Sequence, residues 1–189
     1  MSDGSRWFVR ALYSMDHVVR LVHDGAWDEP SPCEGWTGRH VLGHVIAMQQ
    51  FYVASIDGRP PPMDPMTDPH RHAGERPAAA WAEARDAVLE AVDRPGVLAS
   101  VVRTHGGPSS VEDLIRFNVV DTTVHAWDLA RATGVDDRLD GGLVERCLAL
   151  LDEARAEAPD SLDLGFGPAV AVADLDRQAR LLAATGRRP

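Results

Sequence analysis

Lysine is absent from this sequence. All 19 basic residues are arginine, set against 29 acids, and the formal net charge is −10. No block of basic residues occurs anywhere along the chain. Nucleic acid and anionic membrane surfaces both demand clustered positive charge, so neither is expected as a partner. Only two cysteines are present, Cys33 and Cys147, too few for a disulfide framework and unmotivated as a pair. Long apolar runs are missing as well. Nothing approaches the roughly 18 uninterrupted apolar residues of a membrane-spanning helix, and the opening MSDGSRWFVR lacks the apolar segment of a secretory signal. Together these absences predict a cytoplasmic chain with reduced thiols.

What is present is ordinary globular composition. With 44% hydrophobic and 25% charged residues, the 189-residue chain is no candidate for disorder and can bury one core, as a single domain over 1–189. Helical periodicity dominates. Residues 6–23 set Phe8, Leu12, Met15, Val18, Val19 and Val22 at three-and-four spacing before Gly25 stops the run. After the DEPSPCEGW loop, Thr37 is a natural N-cap for a second helix reaching about Ser55. The stretch IDGRPPPMDPMTDPHRHAGERP holds six prolines and reads as a long irregular connection, unusual enough to suggest a function. A third helix follows from about Ala78 to Val92.

In GGPSSVEDLIRF, Ser109 or Ser110 can cap and Glu112 and Asp113 suit the positive helix end. This fourth helix should reach about Ala132, with Gly134 as its stop. A fifth runs from about Gly142 to Ala158, and a short one lies within DLDRQARLLAATG after the GFGPAV turn. No convincing strand pair emerges, although GVLASVVRT tolerates β structure. The expected fold is all-α, an antiparallel four-helix bundle with long loops and extra C-terminal helices.

Two segments carry chemistry. GWTGRHVLGH places His40 and His44 one turn apart where a helix should be burying Val41, Leu42, Val45 and Ile46. In the fourth helix, a step of about 100° per residue puts Asn118, Asp121, His125 and Asp128 within one stripe. An acid and an imidazole at i, i+4 can reach one metal ion from one helix. Buried acids and histidines lose hydration, and a divalent cation compensates both. His44 would complete a set of two nitrogens and one oxygen with a position left open, the pattern of a catalytic metal. Spacing alone leaves two other readings standing. Asp121 and His125 can form a plain helix hydrogen bond with His44 a satisfied core histidine. Alternatively, His40 and His44 can form a two-histidine helical site, though without the glutamate a metalloprotease places between them.

PCEGWTGRHVLGHV resembles the PC-x-GW…L-x-x-H signature of the mycothiol-dependent maleylpyruvate isomerase and DinB-like metalloprotein group. DTTVHAWDLARATG resembles its second signature, and RLLAATGRRP the closing segment of an uncharacterised subfamily. Order and spacing match over nearly the whole chain. The resemblance implies a four-helix bundle whose metal, usually zinc and sometimes nickel, is held by His44, Asp121 and His125. The acid is a glutamate in the characterised isomerase and an aspartate here, which leaves Asp128 as a stand-in. His40 falls where the group often has an acidic or other polar residue, and so reads as exposed.

The implied cosubstrate is a low-molecular-weight thiol, mycothiol or bacillithiol, which adds to a small electrophilic substrate and ends in isomerisation or S-transfer. Metal-dependent hydrolysis and non-catalytic ligand binding are the other readings, and pairing into a homodimer is left open. Around the site, Asp128 either orients His125 or pairs with Arg131. Trp36 and Trp127 either line a pocket or pack. Cys33 reads as part of a structural loop. His70, Arg71 and His72 read as solvated loop residues, with cover over the metal as the alternative. His17, His23 and His105 have no assigned partner.

Overall fold

The structure is a computed structural model and describes residues 2–60, 67–104, 107–157, 166–171 and 176–188. Ser2, not a residue near position 6, begins the first helix. Its hydroxyl accepts from the Ser5 amide, and α1 runs Asp3–Leu21. Helix α2 (Gly38–Ile56) starts after Thr37 as the cap signal predicted. The proline-rich connection is not wholly irregular: its end forms a short helix, α3 (His70–Ala73). Helix α4 spans Pro77–Asp93, with proline at the first helical position, where its missing N–H costs nothing.

A small antiparallel hairpin then departs from the all-helical expectation. Strand β1 (Val101–Thr104) pairs with β2 (Gly107–Ser110), Val101 opposite Ser110 and Thr104 opposite Gly107. Its second strand, GPSS, has almost no β-propensity, so no sequence pattern announces it; pairing beside α5 supplies what propensity lacks. Ser110 ends β2 and caps α5 (Val111–Thr133) by accepting from the Asp113 amide, and Gly134 in a left-handed conformation closes that helix. Helices α6 (Gly141–Glu157) and α7 (Arg177–Ala184) complete the described chain.

The fold is all-α apart from that hairpin. Helix α1 packs on α5 and α4, α2 packs on α4 and α5, α6 packs on α5, and α7 packs on α6. Phe8, Leu12, Leu42, Ile46, Trp81 and Ile115 fill the shared core and are wholly buried. Asp16 ties α1 to α4 by accepting from Trp81 Nε1 at 3.2 Å and pairing with Arg85. Helix α5 lies in the middle. From Asn118 to Ala130 every residue is buried except Asp121, so this helix has neighbours on nearly all sides. Polar side chains on α5 must therefore find partners inside the protein. Among the described residues, no helix is long and apolar enough to cross a membrane.

Candidate metal centre

Helix α2 delivers His44 and helix α5 delivers Asp121 and His125. The two imidazoles converge on one oxygen. His44 Nε2 and His125 Nε2 each lie 3.5 Å from Asp121 Oδ1. All three ligand atoms fall within 4.8 Å of one another. Tetrahedral zinc with bonds of about 2.0–2.1 Å to nitrogen and oxygen separates its ligands by roughly 3.3 Å, so this cluster has the right scale. His44 and His125 are only 7% and 5% exposed. Asp121 Oδ2 is buried and has no hydrogen-bond partner, a costly state for a carboxylate oxygen unless something else binds it. Burial pushes the Asp121 carboxyl up, but His125 and His44 beside it outweigh that and hold its pKa below the ordinary value. An ionised acid and two imidazoles aimed at one point fit a divalent cation.

Behind His125 stands Asp128, and of its two expected roles the structure shows the one that orients His125. A direct bond from His125 to Asp128 looks awkward for residues three apart, yet His125 Nδ1 lies 2.9 Å from Asp128 Oδ2. Residues three apart are neighbours on a helix, and the short aspartate reaches back one turn. Donation from Nδ1–H fixes the tautomer and leaves the Nε2 lone pair facing Asp121. The Arg131 alternative is not realised: Arg131 pairs with Asp137 at 3.0 Å and lies over the Trp127 ring. Asp128 pairs instead with Arg187, 2.7 Å away through Nη2 and 3.3 Å through Nε.

Arg187 escaped sequence reasoning. Its only signal was membership of the RLLAATGRRP segment. Gly186 adopts a left-handed conformation, and a Cβ there would lie 2.8 Å from the Gly167 carbonyl oxygen, so only glycine allows this turn. The turn sends Arg187 inward, where it also donates to the Thr185 carbonyl and stacks over Phe166. Asp128 is thus taken up by Arg187 and His125, which argues against it as stand-in for Asp121. Cys33, His125 and Asp128 also lie close enough to suggest a rival metal set. Burial and the Asp128 charge push the Cys33 thiol up to about 12, so it stays protonated and donates to Asp128 at 3.4 Å. A cation there would also face the Arg187 guanidinium. The rival set is therefore the poorer one, and Cys33 belongs to the loop, where its carbonyl accepts from the Trp36 amide.

Trp36 packs against both imidazoles, its ring centroid 5.4 Å from that of His44 and 6.3 Å from that of His125. Trp127 is a core side chain. His40 is not free in solvent. Its Nδ1 accepts from the Thr37 amide, so a histidine fills the glutamate place in a capping box. His70 and His72 overturn the solvated-loop expectation. His70 packs on His40, and His72 Nδ1 donates to Gln50 at 2.7 Å while its Nε2 is buried without a partner. Burial and the nearby His44 lower the His72 pKa, keeping it neutral. Gly43 makes this docking possible, since a Cβ there would sit 1.9 Å from the Pro69 carbonyl oxygen. Arg71, His17 and His23 are exposed, and His105 lies outside the described residues. Asn118 sits one turn from Asp121, accepting from Gln49 and Thr122.

The chain matches the profile of the mycothiol maleylpyruvate isomerase N-terminal domain over residues 8–130. It belongs to that family. The matched stretch contains the three residues of the cluster, whereas Phe166 and Arg187 lie beyond it. Two uncharacterised proteins of Mycobacterium tuberculosis, from strains CDC 1551 / Oshkosh and ATCC 25618 / H37Rv, are each 32% identical over 124 residues. That alignment covers 64% of this chain and 62% of each relative, so the chain spans less than two thirds of the relatives' length. No solved structure matches the chain.

Proposed function

We propose that this protein is a metal-dependent thiol transferase or isomerase, with His44, Asp121 and His125 holding one divalent cation, zinc in the first instance and nickel as the alternative. The observation that carries the proposal is the convergence of both Nε2 atoms on Asp121 Oδ1 beside a buried, unpartnered Oδ2. A divalent cation at such a site supplies Lewis acidity that lets a bound thiol ionise at neutral pH.

The chain's own residues do the rest. Asp128 holds the His125 tautomer, Arg187 keeps Asp128 ionised, and Trp36 covers the imidazoles on one side. The cosubstrate is a low-molecular-weight thiol of the mycothiol type. Its proton leaves to solvent and its sulfur forms a bond to one carbon of a small electrophile's double bond, whose π pair moves to the neighbouring carbon and takes up a proton. Retention of that bond gives the S-conjugate, while rotation and loss of the thiol give the isomer. None of these residues needs to act as a separate base.

Protein purified without chelator and without a nickel resin should carry about one zinc per chain. His44→Ala should lose it, measured by elemental analysis, and should lose thiol-dependent turnover of an electrophile panel. Full metal content in His44→Ala would reject the ligand set. Turnover of a hydrolysable substrate without thiol would move the reaction to metal-dependent hydrolysis.

A further inference from the structure

Next to the three-residue cluster, a cavity of about 440 Å3 opens between α2, α5 and α6, and Asp121 forms part of its wall. That volume falls in the range of small-molecule sites, roughly 300–1,000 Å3. Much of the wall is apolar: Met48, Val120, Leu150, Leu151 and Phe166 line it. Its charges are unbalanced. Asp113, Asp121 and Glu157 are set against Arg116, the only cation among the described lining residues. Arg116 is already committed, 2.6 Å from Glu153 and 3.5 Å from Asp113.

Metal loading does not reverse this balance. A divalent cation, the Asp121 carboxylate and one ionised thiol sum to zero charge. Asp113 and Arg116 then offset each other and Glu157 is left over, so the lining stays net negative with no unpaired cation. A substrate carrying carboxylates would meet like charge and no spare cation. An uncharged molecule would bury apolar surface against the leucines and Phe166 at no such cost. Tyr52 also lines the cavity beside Asp121.

We infer that this cavity receives the electrophile, and that the electrophile is an uncharged, largely apolar molecule with a polarised double bond rather than a dicarboxylate. The inference rests on the function proposed above. In the reaction it implies, the sulfur lone pair forms the C–S bond and the π pair of the double bond moves to the neighbouring carbon. That carbon takes up a proton, replacing the one the thiol released. No oxidant or further reactant enters.

The test is competition for the cavity in the metal-loaded protein. N-phenyl-1-naphthylamine, an uncharged probe that brightens in apolar sites, is bound first and then displaced with diethyl maleate or with maleate. The diester should displace it at concentrations roughly tenfold lower or better. Ala154→Trp, which fills the cavity from α6, should weaken probe binding by about tenfold or more with metal content unchanged. Glu157→Arg, a change at an exposed residue, should narrow the gap between maleate and its diester. Equal displacement by maleate overturns the inference, as does probe binding that Ala154→Trp leaves intact, or a gap that Glu157→Arg leaves unchanged. Failure of metal retention or thiol turnover would remove the proposed function and leave these binding results standing.

Discussion

Replacing Arg187 with methionine tests the layer behind the proposed metal centre. Methionine keeps the aliphatic stem and removes the guanidinium. Asp128 is completely buried and the Arg187 side chain is only 10% exposed, so solvent barely screens the pair. Removing one partner of such a pair strands the other charge, which costs about 3–5 kcal/mol. A domain of this kind has roughly 5–15 kcal/mol of stability, so the loss is a large share of the total. The stacking on Phe166 disappears too and adds about 0.5–2 kcal/mol.

The stranded carboxylate can take up a proton itself or gain a counter-charge from its neighbour. His125 Nδ1 already donates to it, and a proton on Nε2 would make the ring a cation that replaces Arg187. That proton would occupy the lone pair that the proposed metal needs, so zinc affinity should fall by roughly 10–100-fold and fall further as pH drops. Urea unfolding of the metal-free proteins measures the first effect, and zinc competition against a chromophoric chelator at several pH values measures the second. An unchanged urea midpoint and an unchanged zinc affinity would refute the reasoning, because they would mean that Asp128 does not depend on the C-terminal segment.

Gly43→Ala should destabilise the protein by about 1–3 kcal/mol in urea unfolding, although alanine is the better helix former, because its Cβ would collide with Pro69; a gain in stability would show that the segment before α3 is not docked. Asp128 should make stability sensitive to acid. Burial raises its pKa, but His125 and Arg187 lower it by more. A depressed folded pKa means that this stabilisation is present above the unfolded value near 3.9 and is lost as pH falls through the folded one. Urea midpoints between about pH 5 and 3 should fall faster for the wild type than for Asp128→Asn; parallel curves would contradict the assignment. Both cysteines should resist a thiol reagent at neutral pH in the folded protein, since burial first of all pushes each thiol up to about 12; rapid labelling of Cys33 would remove it from its place against Asp128.

The number and approximate limits of the long helices were legible in the chain, because caps and three-and-four spacing act within a few residues of one another. Thr37 and Gly134 stand where those signals put them. Asp121 and His125 share a face for the same local reason, whatever else the helix touches. Even His44 was singled out locally, as an imidazole in an apolar run. Its meeting with the α5 pair was one of the readings that spacing left open, and the family resemblance chose it.

Packing decided the rest. Arg187 reaches an aspartate 59 positions away only because Gly186 can turn where a side chain cannot fit. Gly43 looks like a weak spot in a helix until the Pro69 carbonyl is seen resting on it. His70 and His72 looked solvated because their segment is rich in proline, and docking on α2 leaves them half-buried. Local steric preferences are written in adjacent residues, so the sequence by itself determined the helices and the faces of their side chains. Which of those faces meet, and which buried charge neutralises which, depends on atoms brought together from opposite ends of the chain, and only the tertiary structure decided that.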